Sequence, residues 1–91
     1  MSELPELLRS VWVRVAADVE PPLDPEVHDD LNVIDQVDSF TIVNLLLETE
    51  AAIEQETGTY VTLADETIFD TAKSPLRRWA DWVAYVEARR G

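Results

Sequence analysis

The chain of 91 residues contains no cysteine. That excludes disulfides, thiolate metal sites and a cysteine nucleophile, and it leaves the redox compartment open. Only two glycines occur, Gly58 and Gly91. Phosphate-cradling loops need several glycines near a helix start, so nucleotide-binding motifs of that kind are excluded. No apolar run approaches the ~18 residues of a membrane span. The opening segment "MSELPELLRS" lacks the basic start of a secretory signal, so a soluble, cytoplasmic protein is expected.

Positive charge is also scarce. The chain has seven Lys and Arg against 19 Asp and Glu, a net charge of −12. Arg9, Arg14, Lys73, Arg77, Arg78, Arg89 and Arg90 hold all of it, and none falls between Val15 and Ala72. Such a chain repels nucleic acid and anionic membranes. It attracts basic protein surfaces and steers them into encounter, unless the acidity serves solubility alone.

What is present reads as helix, within one domain spanning residues 1–91. Leu4, Leu7, Leu8, Val11, Trp12 and Val15 follow the i, i+3, i+4 pattern of a helix over about Glu3 to Val19. Ser2 is placed to cap it, and Pro21 and Pro22 end it. Residues 20–38 form a long connection, in which Asp24-Pro25 suggests a short turn of helix to Leu31. Leu31, Val33, Ile34 and Val37 are expected to tack that loop to the core. A second strong helix runs from Ser39 to about Glu56, with Asp38 and Ser39 supplying capping oxygens and Gly58 ending it. The β-branched run "TYVTL" has no partner strand and is expected to be loop. Asp65 caps a short turn, "ETIFD". Ser74 caps a last helix from Pro75 to about Arg89, whose stripe is Leu76, Trp79, Trp82 or Val83, and Val86. The sum is an all-α fold, a small four-helix bundle with three main helices, one short helix and a long loop between helices 1 and 2.

The second helix is apolar on two sides. At about 100° per residue, Ile42, Leu45, Leu46, Thr49 and Ile53 group as a core stripe. Phe40, Val43 and Leu47 fall opposite, bordered by Glu50 and Glu54. Either the long loop folds back over this second stripe, or it is an exposed patch with an acidic rim, which would mark a protein contact site. Ser39 stands at the positive end of the same helix. There it is either an ordinary cap or the place for an attached or bound phosphate.

The order of elements and the residues around Ser39 resemble the acyl carrier and peptidyl carrier protein family. In that family a serine in an Asp-Ser-Leu-type motif opens the second helix and receives 4′-phosphopantetheine from coenzyme A. Here the motif is Asp38-Ser39-Phe40, followed by "TIVNLLLETE", and "FDTAKSPL" resembles the segment leading into the family's last helix. Gln36 stands where the family often has glycine, Phe40 where leucine is commoner, and Asn44 where an acidic residue is common. These departures bear on which modifying enzyme and which partners fit.

The resemblance implies an acyl-carrier-like, free-standing chain that is not itself an enzyme. Ser39 Oγ would carry the phosphodiester, and Asp38 would be next to the metal ion used during modification. The family's cargo is an acyl or aminoacyl group held as a thioester on the arm. Phe40, Val43 and Leu47 would form the apolar docking strip, and Glu48, Glu50 and Glu54 would meet basic partner residues. Implied partners are a phosphopantetheinyl transferase, a loading enzyme and downstream synthases or transferases, with a monomeric carrier. Cargo stays open among fatty acyl, polyketide, amino acid and D-alanine, although "NLLLETE" resembles free-standing aminoacyl or D-alanyl carriers. The rival is an acidic helical adaptor without a prosthetic group. A triad of Ser39, His28 and an aspartate is disfavoured because no glycine-lined oxyanion site follows. The acids Asp29, Asp30 and Asp35 lack the spacing and glycine of a calcium loop.

Overall fold

A computed structural model describes residues 4–70 and 72–90. Among them are three α-helices, α1 (Leu4–Asp18), α2 (Ser39–Thr57) and α3 (Trp79–Arg90), and two 3-10 turns, Glu66–Phe69 and Pro75–Arg77. No strand occurs among the described residues, so the fold is all-α. The expected short fourth helix is a single 3-10 turn. The proposed cap Ser2 lies outside the described residues.

The core forms where the three apolar stripes meet. α1 buries Leu4, Leu8, Val11, Trp12, Val15 and Ala16 against α2 and α3. α2 contributes Ile42, Leu45, Leu46, Thr49 and Ile53. α3 adds Trp79, Trp82 and Val86, with Val83 only half-buried. Trp79 lies on Trp12, their ring centroids 6.4 Å apart. Gly58 ends α2 at φ 76°, and its N–H donates to the Glu54 carbonyl at 2.7 Å. Among the described residues this left-handed cap is the one place that calls for glycine.

The loop before α2 has no turn of helix at residues 24–31. Pro21, Pro22 and Pro25 lack N–H donors, and Asp24 Oδ1 takes the Glu26 N–H at 2.9 Å in a local turn that competes with helix. Leu31, Val33 and Ile34 are buried, as expected.

The last helix is also not continuous from Pro75. Ser74 Oγ accepts the Leu76 N–H as a cap, yet Arg78 is extended at φ −141°, ψ 134°. The cause is tertiary. Val33 and Ile34 donate their N–H groups to the Leu76 carbonyl at 2.8 and 3.2 Å. The Ala80 N–H, which a continuous helix would send to that carbonyl, goes to the Asp29 carbonyl at 3.1 Å. The loop thus takes over one rung of the helical ladder, and the helix restarts at Trp79.

Candidate functional site at the start of helix α2

Asp38 alone caps α2. Its backbone is extended (φ −85°, ψ 173°), and Oδ1 accepts the Thr41 N–H at 2.8 Å. The Asp38 carbonyl takes the first helical bond, from Ile42 N–H at 3.1 Å. Ser39 is therefore the first residue inside the helix and contributes no capping oxygen. Its side chain is exposed, and no hydrogen bond among the described residues engages its hydroxyl. The Thr41 backbone N–H, and after it the Thr41 side chain, hold the Asp38 carboxyl below the usual carboxylate range.

The approach to Ser39 is braced. Asn32 Oδ1 accepts the Asp35 N–H at 3.0 Å, and Gln36 Nε2 donates to the Asn32 carbonyl at 2.6 Å. Val37 packs half-buried on the core. With Val33 and Ile34 fastened to Leu76, the segment ahead of the serine is tied to the second 3-10 turn. The Ser39 hydroxyl is thus open to solvent on a braced helix start. The positive end of the helix dipole favours a phosphate there, while the Asp38 carboxylate opposes it.

The second stripe is uncovered. Phe40 is 83% exposed, Leu47 59% and Val43 43%. The long loop does not fold back over them, because it is fastened to the second 3-10 turn and the start of α3. Three exposed apolar side chains on one helix face, next to Ser39, form an apolar strip.

The acidic side chains divide. Glu54 is exposed. Glu48 is half-exposed and meets Arg14 of α1 at 3.7 Å, with both side chains well solvated. Such a surface pair contributes little to stability. Glu50 is not a partner contact, contrary to expectation. It is only 4% exposed, its Oε2 accepts the Leu63 N–H at 2.7 Å, and its Oε1 accepts the Tyr60 hydroxyl at 2.9 Å. The "TYVTL" segment crosses over it, burying Val61 and Leu63 between exposed neighbours. Glu50 supplies the acceptors this loop lacks for want of a partner strand. The carboxylate pushes the Tyr60 hydroxyl above its ordinary value, first by the hydrogen bond and then by charge.

Arg14 is the residue that sequence periodicity missed. Its pairing with Glu48 depends on how α1 lies against α2, for which a single chain carries no signal.

Among the described residues, no three His, Asp or Glu side chains come together as a metal site. Asp30 pairs instead with Arg78 at 3.0 Å, and Asp35 bonds Asn32 Nδ2. His28 is exposed, and no hydrogen bond among the described residues links it to Ser39. No helix of the described residues is long and apolar enough to cross a membrane. Comparison of the chain with protein-family models, curated proteins and solved structures finds no match.

Proposed function

We propose that the chain is a carrier protein with an acyl-carrier-like fold, bearing 4′-phosphopantetheine on Ser39. The observation that carries this reading is the exposed Ser39 hydroxyl, unengaged at the first turn of α2, beside the uncovered strip of Phe40, Val43 and Leu47. The residues present fit the group. Ser39 Oγ would hold the phosphodiester, with the first turn of α2 at the phosphate. Asp38 stays ionised at neutral pH and stands next to it, placed to approach the cation used in the transfer. The arm would supply the thiol that the chain lacks and hold an acyl or aminoacyl cargo as a thioester.

The chain's own part is to hold and present. α2 fixes where the arm starts, and tethering raises the local concentration of cargo at each partner enzyme. Phe40, Val43 and Leu47 offer an apolar docking strip, with Glu54 and the Arg14-paired Glu48 on its acidic side. Partners are a phosphopantetheinyl transferase, a loading enzyme and downstream synthases or transferases acting on a cytoplasmic, monomeric carrier. Specialised polyketide, nonribosomal peptide or fatty-acid metabolism is the setting.

The second reading is an adaptor without a prosthetic group, which the same exposed strip favours. Coexpression with broad-specificity phosphopantetheinyl transferases, followed by intact mass measurement, separates the two. A gain of one phosphopantetheine is expected. An unmodified chain with every transferase would leave the adaptor.

A further inference from the structure

A second site lies between α1, the long loop and α3. It is a recess of about 400 Å³ that no α2 residue lines. Trp79, 4% exposed, and half-buried Val83 form its apolar floor. Trp79 is backed by Trp12, their rings tilted at 56°. The exposed polar lining side chains are Glu6, Arg9, His28 and Asp29. The loop wall is preformed: the Asp29 carbonyl accepts the Ala80 N–H at 3.1 Å, and the His28 carbonyl accepts the Leu31 N–H at 3.0 Å. A concave apolar floor with a few convergent polar groups is the usual form of a small-molecule site.

Charge selects the occupant. Two carboxylates, Glu6 and Asp29, line the recess with one guanidinium, Arg9, and the imidazole of His28. None of the three ion pairs among the described residues uses Glu6, Arg9 or Asp29. The chain carries a net charge of −12, which concentrates cations and disfavours anions around it. We propose that this recess binds a small amphipathic amine, with an aliphatic or aromatic body on Trp79 and Val83 and its ammonium group met by Glu6 and Asp29. The proposal does not depend on the modification of Ser39.

Titration of the full chain with 2-phenylethylamine, its neutral analogue 2-phenylethanol and the anion 3-phenylpropionate tests it. Tryptophan emission and amide NMR shifts are the readouts. Of the three tryptophans, Trp79 lines the recess and Trp12 and Trp82 do not, so Trp79 is the reporter. The amine should give a saturable change, with NMR shifts confined to residues 5–9, 27–29 and 79–83, and Ser39→Ala should leave it intact. Glu6→Gln and Asp29→Asn, both at exposed positions, should each weaken binding about threefold, and together about tenfold. Added salt should weaken it further. Equal binding of amine and alcohol, preference for the carboxylate, a change that never saturates, or an affinity indifferent to both substitutions would overturn the proposal.

Discussion

The two faces of α2 are built from the same kinds of residue and meet opposite fates. Ile42, Leu45, Leu46 and Ile53 are sealed in the core, while Phe40, Val43 and Leu47 lie in water. Composition does not separate them. What separates them is the supply of covering elements. α1 and α3 present one apolar stripe each, and the long loop is committed elsewhere by the bonds from Val33 and Ile34 to Leu76 and from Ala80 to Asp29. Among the described residues no element remains to cover the outer face, so its apolar side chains stay in water.

The largest expected effect contrasts the faces directly. Leu45→Ala or Ile53→Ala should cost about 2–5 kcal/mol in chemical denaturation, because a fully buried side chain leaves a cavity. Leu47→Ala should stay within about 0.5 kcal/mol, as surface changes do. Comparable losses on both faces would mean that the outer strip is core.

Next comes the contrast between Glu50 and Glu54, one helical turn apart. Glu50→Ala strands the buried Leu63 N–H and should cost about 1–3 kcal/mol, whereas Glu54→Ala should have little effect. The same pairing is visible in alkali. Because Tyr60 holds its proton more tightly when folded, its share of stability is complete below the unfolded value near 10 and is lost as pH rises through the folded value. In Glu50→Gln, ultraviolet titration should show Tyr60 ionising at lower pH than in the wild type.

The smallest effect contrasts Asp38 with Ser39. Asp38→Ala removes the cap of α2 and should lower the melting temperature, whereas Ser39→Ala should leave it nearly unchanged. Asp38 and Asp65 both have depressed values in the folded chain, each mainly through a backbone N–H two or three residues on. Their share of stability is therefore present above about pH 4 and lost as pH falls through the folded values. Asp38→Asn should blunt that acid loss in a pH series of thermal melts.

Much of this was legible in the chain. The 3.6-residue period marked α1 and α2, and Asp38, Gly58, Asp65 and Ser74 marked their own caps and turns. The inner stripe of α2 was legible for the same reason. What escaped was decided by partners distant in sequence. The break at Arg78 comes from loop N–H groups more than 40 residues earlier taking the Leu76 carbonyl. Glu50 lies at the border between the two stripes by helical phase, and only the crossing of residues 59–64 turns it inward. Whether the outer stripe was covered depended on where the long loop was fastened, which periodicity does not encode.

The most direct measurement is residue-resolved mass spectrometry of the chain after incubation with coenzyme A and a phosphopantetheinyl transferase. One phosphopantetheine on Ser39 is expected, absent from a Ser39→Ala variant that melts like the wild type. A chain left unmodified by every transferase, or modified at another residue, would contradict it.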